Sequence, residues 1–252
     1  MESFEWISES TALILILSTA LTAAISGMIG MGGGVTLLGI LTFFIPFPWI
    51  VPIHGVIQLV SNSTRTLLIR NHVRWGLWKQ YALGACFGAA GSAWFFRSLD
   101  EPAIPLFLIG TMILYSVFKP KKLPPLKIPD SGFIAVGVIA GFLSLFVGAV
   151  GPFLAPFFLR PDFNKKEVVA TKAAFQLFTH FLKLPAFLWI GFPYLDHFLL
   201  ITLLCLAAIG GTHLGVKTLE RLPEKAFFFL FKALLLFAAI RIFLKAGQSL
   251  TT

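Results

Sequence analysis

The sequence predicts an all-α, polytopic membrane protein, and three observations carry that prediction. Hydrophobic residues make up 57% of the 252 residues, and charged residues only 12%. A soluble domain carries about 25% charged residues, so this composition excludes an ordinary soluble fold. Apolar runs follow one another along the whole chain, and several reach the roughly 20 residues that an α-helix needs to cross a bilayer.

The apolar runs give the order of the predicted helices. They lie near residues 10–30, 34–47, 52–69, 80–97, 102–118, 131–150, 152–160, 168–190, 197–216 and 226–244. The second and seventh runs are too short to cross a bilayer alone, because a helix rises only about 1.5 Å per residue. We therefore expect about 8–10 membrane segments, with short, broken helices at these two places.

The charges in the connecting loops predict the orientation of the chain in the bilayer. Basic residues cluster in the connections at 70–79, 119–127, 160–166 and 217–225, which the positive-inside rule assigns to the cytoplasm. The acidic N-terminus and the connections at 97–102 and 191–197 are expected outside. The net charge is +9, but the basic residues form no single soluble patch, so we expect the lipid bilayer and no nucleic acid as a partner.

Rare polar residues and glycines recur in the two halves of the chain. The matched pairs, each 118 residues apart, are Ser26 and Ser144, Gly30 and Gly148, Gly33 and Gly151, Gln58 and Gln176, Ser61 and Thr179, and Arg65 and Lys183. The first half holds an odd number of runs, so the second half is expected to enter the membrane in the opposite orientation. We predict two inverted-topology repeats, residues 1–125 and 126–252, within one transmembrane domain, as in secondary transporters. Chance similarity between apolar helices is the alternative.

The motif GMIGMGGG at 27–34, its weaker copy GFLSLFVGAVGPFLAP at 141–156, and the polar helix after each carry a family resemblance. Over essentially the whole chain, the sequence resembles the sulfite exporter TauE/SafE family of membrane anion transporters. The resemblance implies two related halves, transport of sulfite, sulfonate or a related sulfur-containing anion, and a place in the bacterial inner membrane. The second copy departs from the glycine-rich pattern at Ala149, Val150 and Pro152.

Two polar stripes follow the glycine motifs. Their members are His54, Gln58, Asn62 and Arg65 in the first half, and Lys172, Gln176, His180 and Lys183 in the second. In both, the spacing i, i+4, i+8, i+11 keeps the residues within about an 80° arc of one helix. Polar residues inside a membrane normally face the protein interior or a water-filled path, so the stripes predict a substrate-binding site for a small anion.

Each part of this site has an alternative explanation. Arg65 and Lys183 would serve structure if they paired with backbone carbonyls at a helix break. Gln58 and Gln176 would do so by interhelical hydrogen bonding alone. His54 and Lys172 lie near the predicted starts of their helices, where a snorkelling position at the interface is an equal alternative.

The glycine motif predicts backbone donors for the same site. A helix that begins inside the membrane, at Gly34 or Pro152, presents unpaired N–H groups and the positive end of its dipole to an anion. We therefore add Gly32, Gly33, Gly34 and Gly151 to the predicted substrate-binding residues. The motif is no nucleotide fingerprint, because Val35 stands where GxGxxG requires its third glycine.

The leading functional prediction is a transporter that works by alternating access around a midplane site, with no catalytic residue, cofactor or metal. All eleven acidic residues lie at the termini, in loops or at run ends, so no carboxylate is expected deep in a helix to relay a proton or hold Na⁺. Coupling through His54 or His180, a channel-like mechanism and a homo-oligomer stay open. The alternatives are a membrane-embedded enzyme acting on a lipid or small anionic substrate, and an anchoring subunit whose glycines only pack helices.

Overall fold

The computed structural model describes residues 7–30, 32–97, 128–158 and 162–218, together with the isolated helical positions 107, 110, 111, 114, 118 and 240. The predicted runs near 102–118 and 226–244 lie outside the described residues except at those isolated positions. The charged connections at 119–127 and 217–225, and the predicted outside connection at 97–102, fall largely or wholly outside them as well.

The described part of the chain is all-helical, which confirms the predicted fold class. Its α-helices are α1 (Glu9–Ile29), α2 (Gly33–Phe44), α3 (Phe47–Leu68), α4 (Trp75–Arg97), α5 (Gly132–Val147), α6 (Gly151–Phe158), α7 (Lys165–Ile190) and α8 (Phe198–Lys217). Short 3-10 helices at Arg70–His72 and Tyr194–His197 precede α4 and α8. By length and composition, the segments Glu9–Ile29, Lys165–Ile190 and Tyr194–Lys217 could each cross a membrane.

The helix boundaries follow from local capping. Ser8 accepts a hydrogen bond from the Thr11 N–H at 3.2 Å and starts α1. Asn164 and Glu167 form a capping box at the start of α7, in which each side chain satisfies an N–H group that the helix leaves unpaired. α3 and α4 begin five residues before their predicted runs, because Pro48 in the first turn of α3 and Lys79 and Gln80 near the start of α4 interrupt the apolar pattern.

Two pairs of helices pack closely through small residues. α1 packs against α8 and α4 against α5, while α3 crosses α7 between them. A Cβ atom added to Gly211 of α8 would lie only 2.0 Å from the Ala20 carbonyl oxygen, and one added to Gly137 of α5 only 2.1 Å from the Tyr81 carbonyl oxygen. Glycine is therefore required at these contacts, as in other closely packed membrane helices.

The helix boundaries of the two halves recur at the offset of 118 residues. The pairs are Ile29 and Val147 at the ends of α1 and α5, Gly33 and Gly151 at the starts of α2 and α6, and Phe47 and Lys165 at the starts of α3 and α7. Gly30 and Gly148 follow the first pair, and both have φ 74°, a conformation that favours glycine. Both short helices begin one residue earlier than predicted, and α2 does so because the chain turns at Gly32, with φ 94°.

α3 and α7 run in opposite directions. The ring of Trp49, near the start of α3, lies 4.4 Å from that of His197, which follows α7. At the other end Arg74, which follows α3, donates a hydrogen bond to the Glu167 carboxylate in the first turn of α7 at 2.8 Å. The inverted repeat across a bilayer, with its division at residues 125 and 126, stays a prediction.

Candidate functional site

A polar cavity lies where the two helix breaks meet the facing stripes of α3 and α7. Its lining residues are Ser26, Gly30, Gly32, Gly34, Val35, His54, Gln58, Arg65, Ala149, Gly151, Gln176 and His180. The empty space within it is about 320 Å³, which includes its opening to solvent. The cavity therefore draws on both halves of the chain.

The structure brings most of the predicted binding residues to this cavity. Those on its lining are His54, Gln58, Arg65, Gln176, His180, Gly32, Gly34 and Gly151. Asn62, Lys172, Lys183 and Gly33 are buried but do not line it. At Gly33 an added Cβ would lie 1.9 Å from the Thr22 carbonyl oxygen, so this glycine permits close packing of α2 on α1.

Each short helix begins beside the glutamine of the stripe in its own half. A Cβ added to Gly34 would lie 3.1 Å from Gln58 Oε1, and one added to Gly151 would lie 3.0 Å from Gln176 Nε2. The first N–H groups of a helix have no intrahelical partner, and Gly32 supplies no side chain to cap α2. Backbone N–H groups and side-chain amides therefore converge on the cavity from both halves.

Arg65 supplies positive charge to the cavity wall. Its side chain is only 1% exposed, and its Nε has no hydrogen-bond partner among the residues that the structure describes. No Asp or Glu within the described ranges is buried. A guanidinium stays charged in a protein, and burying a charge is unfavourable unless it is paired, so this wall favours an anion.

Lys183 is equally buried but has a protein partner. Its Nζ donates a hydrogen bond to the carbonyl of Gly148, immediately after α5. A cation at this position stabilises the negative end of the helix dipole. Lys183 therefore has the contact expected of the structural alternative, pairing with a backbone carbonyl at a helix break.

The two histidines lie side by side in the interior. His54 Nε2 lies 2.8 Å from the carbonyl oxygen of Gly34, and because a carbonyl only accepts, Nε2 carries the proton. The His54 ring stands edge-on to that of His180, with centroids 5.8 Å apart. His54 and Lys172 are 0% and 1% exposed, so neither has the surface position that snorkelling requires.

Further polar contacts hold the two stripe helices in place. Asn62 Nδ2 donates to the Gln58 backbone carbonyl at 2.8 Å. Ser61 of α3 lies 2.9 Å from the Thr212 hydroxyl of α8, and its sequence partner Thr179 of α7 is hydrogen-bonded to Tyr81 of α4. The matched hydroxyl positions thus join each stripe helix to a helix of the other half.

The sequence prediction missed four residues on the cavity lining. They are Ser26, Gly30, Val35 and Ala149. Ser26 and Gly30 belong to the repeated motif, so their recurrence as Ser144 and Gly148 could have identified them. Val35 and Ala149 carry no polar side chain, and no residue-type signal points to them.

Within the part of the chain that the structure describes, no group of three or more His, Cys, Asp or Glu side chains could hold a metal ion. The family model described as "Sulfite exporter TauE/SafE" matches residues 15–242. The match therefore includes both helix breaks, both polar stripes and every residue on the cavity lining. No curated protein and no solved structure matches the chain significantly.

Proposed function

The chain belongs to the sulfite exporter TauE/SafE family, and from that premise we propose that it carries a small sulfur-containing oxyanion, such as sulfite or a sulfonate, across the membrane. The bound anion occupies the cavity between the two helix breaks. Arg65 neutralises its charge, and Gln58, Gln176 and the first N–H groups of α2 and α6 bind its oxygen atoms. His54 and His180 complete the wall.

The observation that carries this proposal is the buried charge of Arg65. An arginine that is 1% exposed, beside a polar cavity and without a buried carboxylate in the described ranges, lacks a negative partner. An anion in the cavity would supply that partner. Charge-assisted hydrogen bonds from a guanidinium to an oxyanion are roughly twice as strong as neutral ones.

The other donors favour an oxyanion over a spherical ion. Backbone N–H groups at two helix starts and two side-chain amides reach the cavity from different directions, which matches several oxygen atoms on one centre. Helix N-termini bind phosphate and sulfate in this way without any charged side chain. Sulfite and sulfonates each present three oxygen atoms and fit this arrangement.

The arrangement of the two stripe helices supports alternating access. α3 and α7 carry matched stripes in opposite directions, and the cavity lies between them. Broken helices with a substrate site at the junction of two halves are typical of secondary transporters, in which one half moves against the other around a fixed site. The same donors would then face one side of the membrane and the other in turn.

Anion binding by Arg65 is tested with purified protein by thermal unfolding in sulfite, methanesulfonate or sulfate. A ligand that binds only the folded state stabilises it, by about 2.7 kcal/mol at one hundred times its dissociation constant. We expect sulfite or methanesulfonate to raise the Tm of the unsubstituted protein. R65Q should abolish this shift. R70Q should keep it, because Arg70 is exposed in the adjacent 3-10 helix.

The same three proteins are then compared for sulfite flux in reconstituted vesicles. R65Q is expected to lose flux, and R70Q to retain it. An anion-induced Tm shift in R65Q equal to that of the unsubstituted protein would exclude Arg65 from the site. Absence of any stabilising anion for the unsubstituted protein, together with absence of sulfite flux, would contradict the proposed function itself.

A further inference from the structure

Two clusters of side chains join the halves of the chain at opposite ends of the α3 and α7 pair. Along α3, the cavity residues His54, Gln58 and Arg65 lie between Trp49 near its start and Arg74 after its end. Both Trp49 and Arg74 contact residues of the second half. One inter-half contact therefore lies beyond the cavity residues towards each end of α3.

The contact at the Arg74 end is ionic. Arg74 Nε donates to Glu167 at 2.8 Å and Nη2 donates to the Asp162 carbonyl at 2.9 Å. Its guanidinium lies 5.2 Å from the centre of the Phe163 ring, and its backbone N–H donates to the Thr171 hydroxyl at 3.0 Å. Among the described residues, Arg74 and Glu167 form the one ion pair. We name these side chains, Arg74 and Glu167, the ionic contact.

The contact at the Trp49 end is aromatic. Trp49 packs on His197 with ring centroids 4.4 Å apart. Phe192 lies 5.6 Å from His197 and 4.7 Å from Tyr194. We name Trp49, Phe192, Tyr194 and His197 the aromatic contact.

The two contacts occupy equivalent positions in the repeat. At the offset of 118 residues, Arg74 corresponds to Phe192 and Glu167 corresponds to Trp49. At the ionic end the two matched positions contact each other directly, and at the aromatic end both pack on His197. If the halves move against each other, these positions separate alternately.

We propose that the ionic contact and the aromatic contact are the two gates of the anion path, which open in turn to expose the cavity. This inference rests on the proposed transport function and adds the residues that control access to the site. The ionic gate weakens with salt, because nearly half of the Arg74 side chain is exposed and screening acts on exposed charges. The aromatic gate is insensitive to salt.

The test measures access to the cavity from each side of the membrane. Ser26 lines the cavity, and S26C, in a chain that also carries C86S and C205S, is a reporter for a membrane-impermeant thiol reagent. Labelling rates are compared in sealed vesicles of both orientations. R74Q and E167Q should each raise the labelling rate from the Arg74 side by about two- to fivefold, the range for an ion pair of this exposure.

Two features of the variants separate a gate from general loosening. In E167Q the new amide oxygen can accept the Asn164 N–H hydrogen bond that a carboxylate oxygen of Glu167 accepts, so the change removes charge without removing the cap. The double variant should not exceed R74Q alone, because R74Q already removes the ion pair that E167Q removes. R70Q, in the same connection, should leave the labelling rate unchanged.

The aromatic gate is tested by W49L, which should raise labelling from the opposite side only. W189L is its control, because Trp189 is half exposed on α7. The proposed gates would be contradicted if the labelling rate were unchanged in R74Q and E167Q, or if it rose equally from both sides of the membrane. If anion binding still depends on Arg65 in that case, the proposed function stands without them.

Discussion

Arg65 and Lys183 occupy matched positions in the two halves, yet their charged groups have different surroundings. Lys183 donates to the Gly148 carbonyl, whereas Arg65 Nε has no partner in the described part of the chain. An unpaired buried charge destabilises a protein, and a paired one contributes a charge-assisted hydrogen bond. The two residues should therefore affect stability with opposite signs.

This contrast gives a prediction for protein without bound anion. R65M removes an unpaired buried charge. The free energy of unfolding should therefore stay the same or rise by up to roughly 4 kcal/mol. K183M leaves the Gly148 carbonyl without its donor and should destabilise by roughly 1.5–3 kcal/mol. Both are read from the free energy of unfolding in detergent micelles without added oxyanion. If R65M destabilised as much as K183M, Arg65 would have a structural partner like that of Lys183.

At the residue scale, the sequence predicts which residues lie near the cavity but not the hydrogen-bond partner of each one. The spacing of polar residues on a helix face placed both stripes correctly on facing helices. The difference between Arg65 and Lys183 depends on where one carbonyl oxygen lies after the chain turns at Gly148, and spacing carries no information about that. Ser26 was missed because a small hydroxyl residue is common in packed helices and gives a weak signal.

Glycine contacts decide how helices pair in this molecule. Gly211 of α8 faces the backbone of α1, where an added Cβ would lie 2.0 Å from the Ala20 carbonyl oxygen. Its neighbour Gly210 is exposed, and an added Cβ there would meet nothing within 4 Å. Backbone atoms cannot move aside as a flexible side chain can, so the two positions should respond differently to the same substitution.

We predict that G211A destabilises the protein and that G210A does not. G211A forces α1 and α8 apart and should cost roughly 1–3 kcal/mol, as overpacking of a tight contact does. G210A should be neutral or stabilise by up to about 1 kcal/mol, because alanine loses less backbone entropy in a helix. Unfolding of both variants in the same micelles is the measurement. Equal effects would show that α1 and α8 do not pack through this surface.

The order of the helices could be predicted, because a bilayer-spanning segment leaves a long apolar run. The break positions were also predicted to within one residue from the glycines. Which helices pair could not be predicted, because small residues occur on several faces and only the three-dimensional arrangement selects one. The starts of α3 and α4 were placed too late, since Pro48 in α3 and Lys79 and Gln80 in α4 interrupt the apolar pattern close to those starts.

The whole molecule combines two halves in which three pairs of helix boundaries repeat at the offset of 118 residues. α3 and α7 run in opposite directions, and their ends meet at the ionic and aromatic contacts. The connection at 70–74 and the connection before α7 therefore lie at one end of the molecule, and Asp196 lies near the other, beside His197. Loop charge independently assigns the first two connections to the cytoplasm.

An inverted repeat across the bilayer is tested by the side on which each connection is labelled. N71C, K166C and D196C, each at an exposed position and each in the C86S/C205S chain, are treated in intact cells with a membrane-impermeant maleimide. N71C and K166C should be protected until the cells are lysed, and D196C should react at once. Asn71 lies just after the end of α3, whereas Lys166 lies at the start of α7 and Asp196 just after its end. This result therefore requires that the two matched helices cross the membrane in opposite directions. The inverted arrangement would be excluded if N71C and K166C reacted on different sides of the membrane. It would also be excluded if D196C, N71C and K166C were all protected in intact cells.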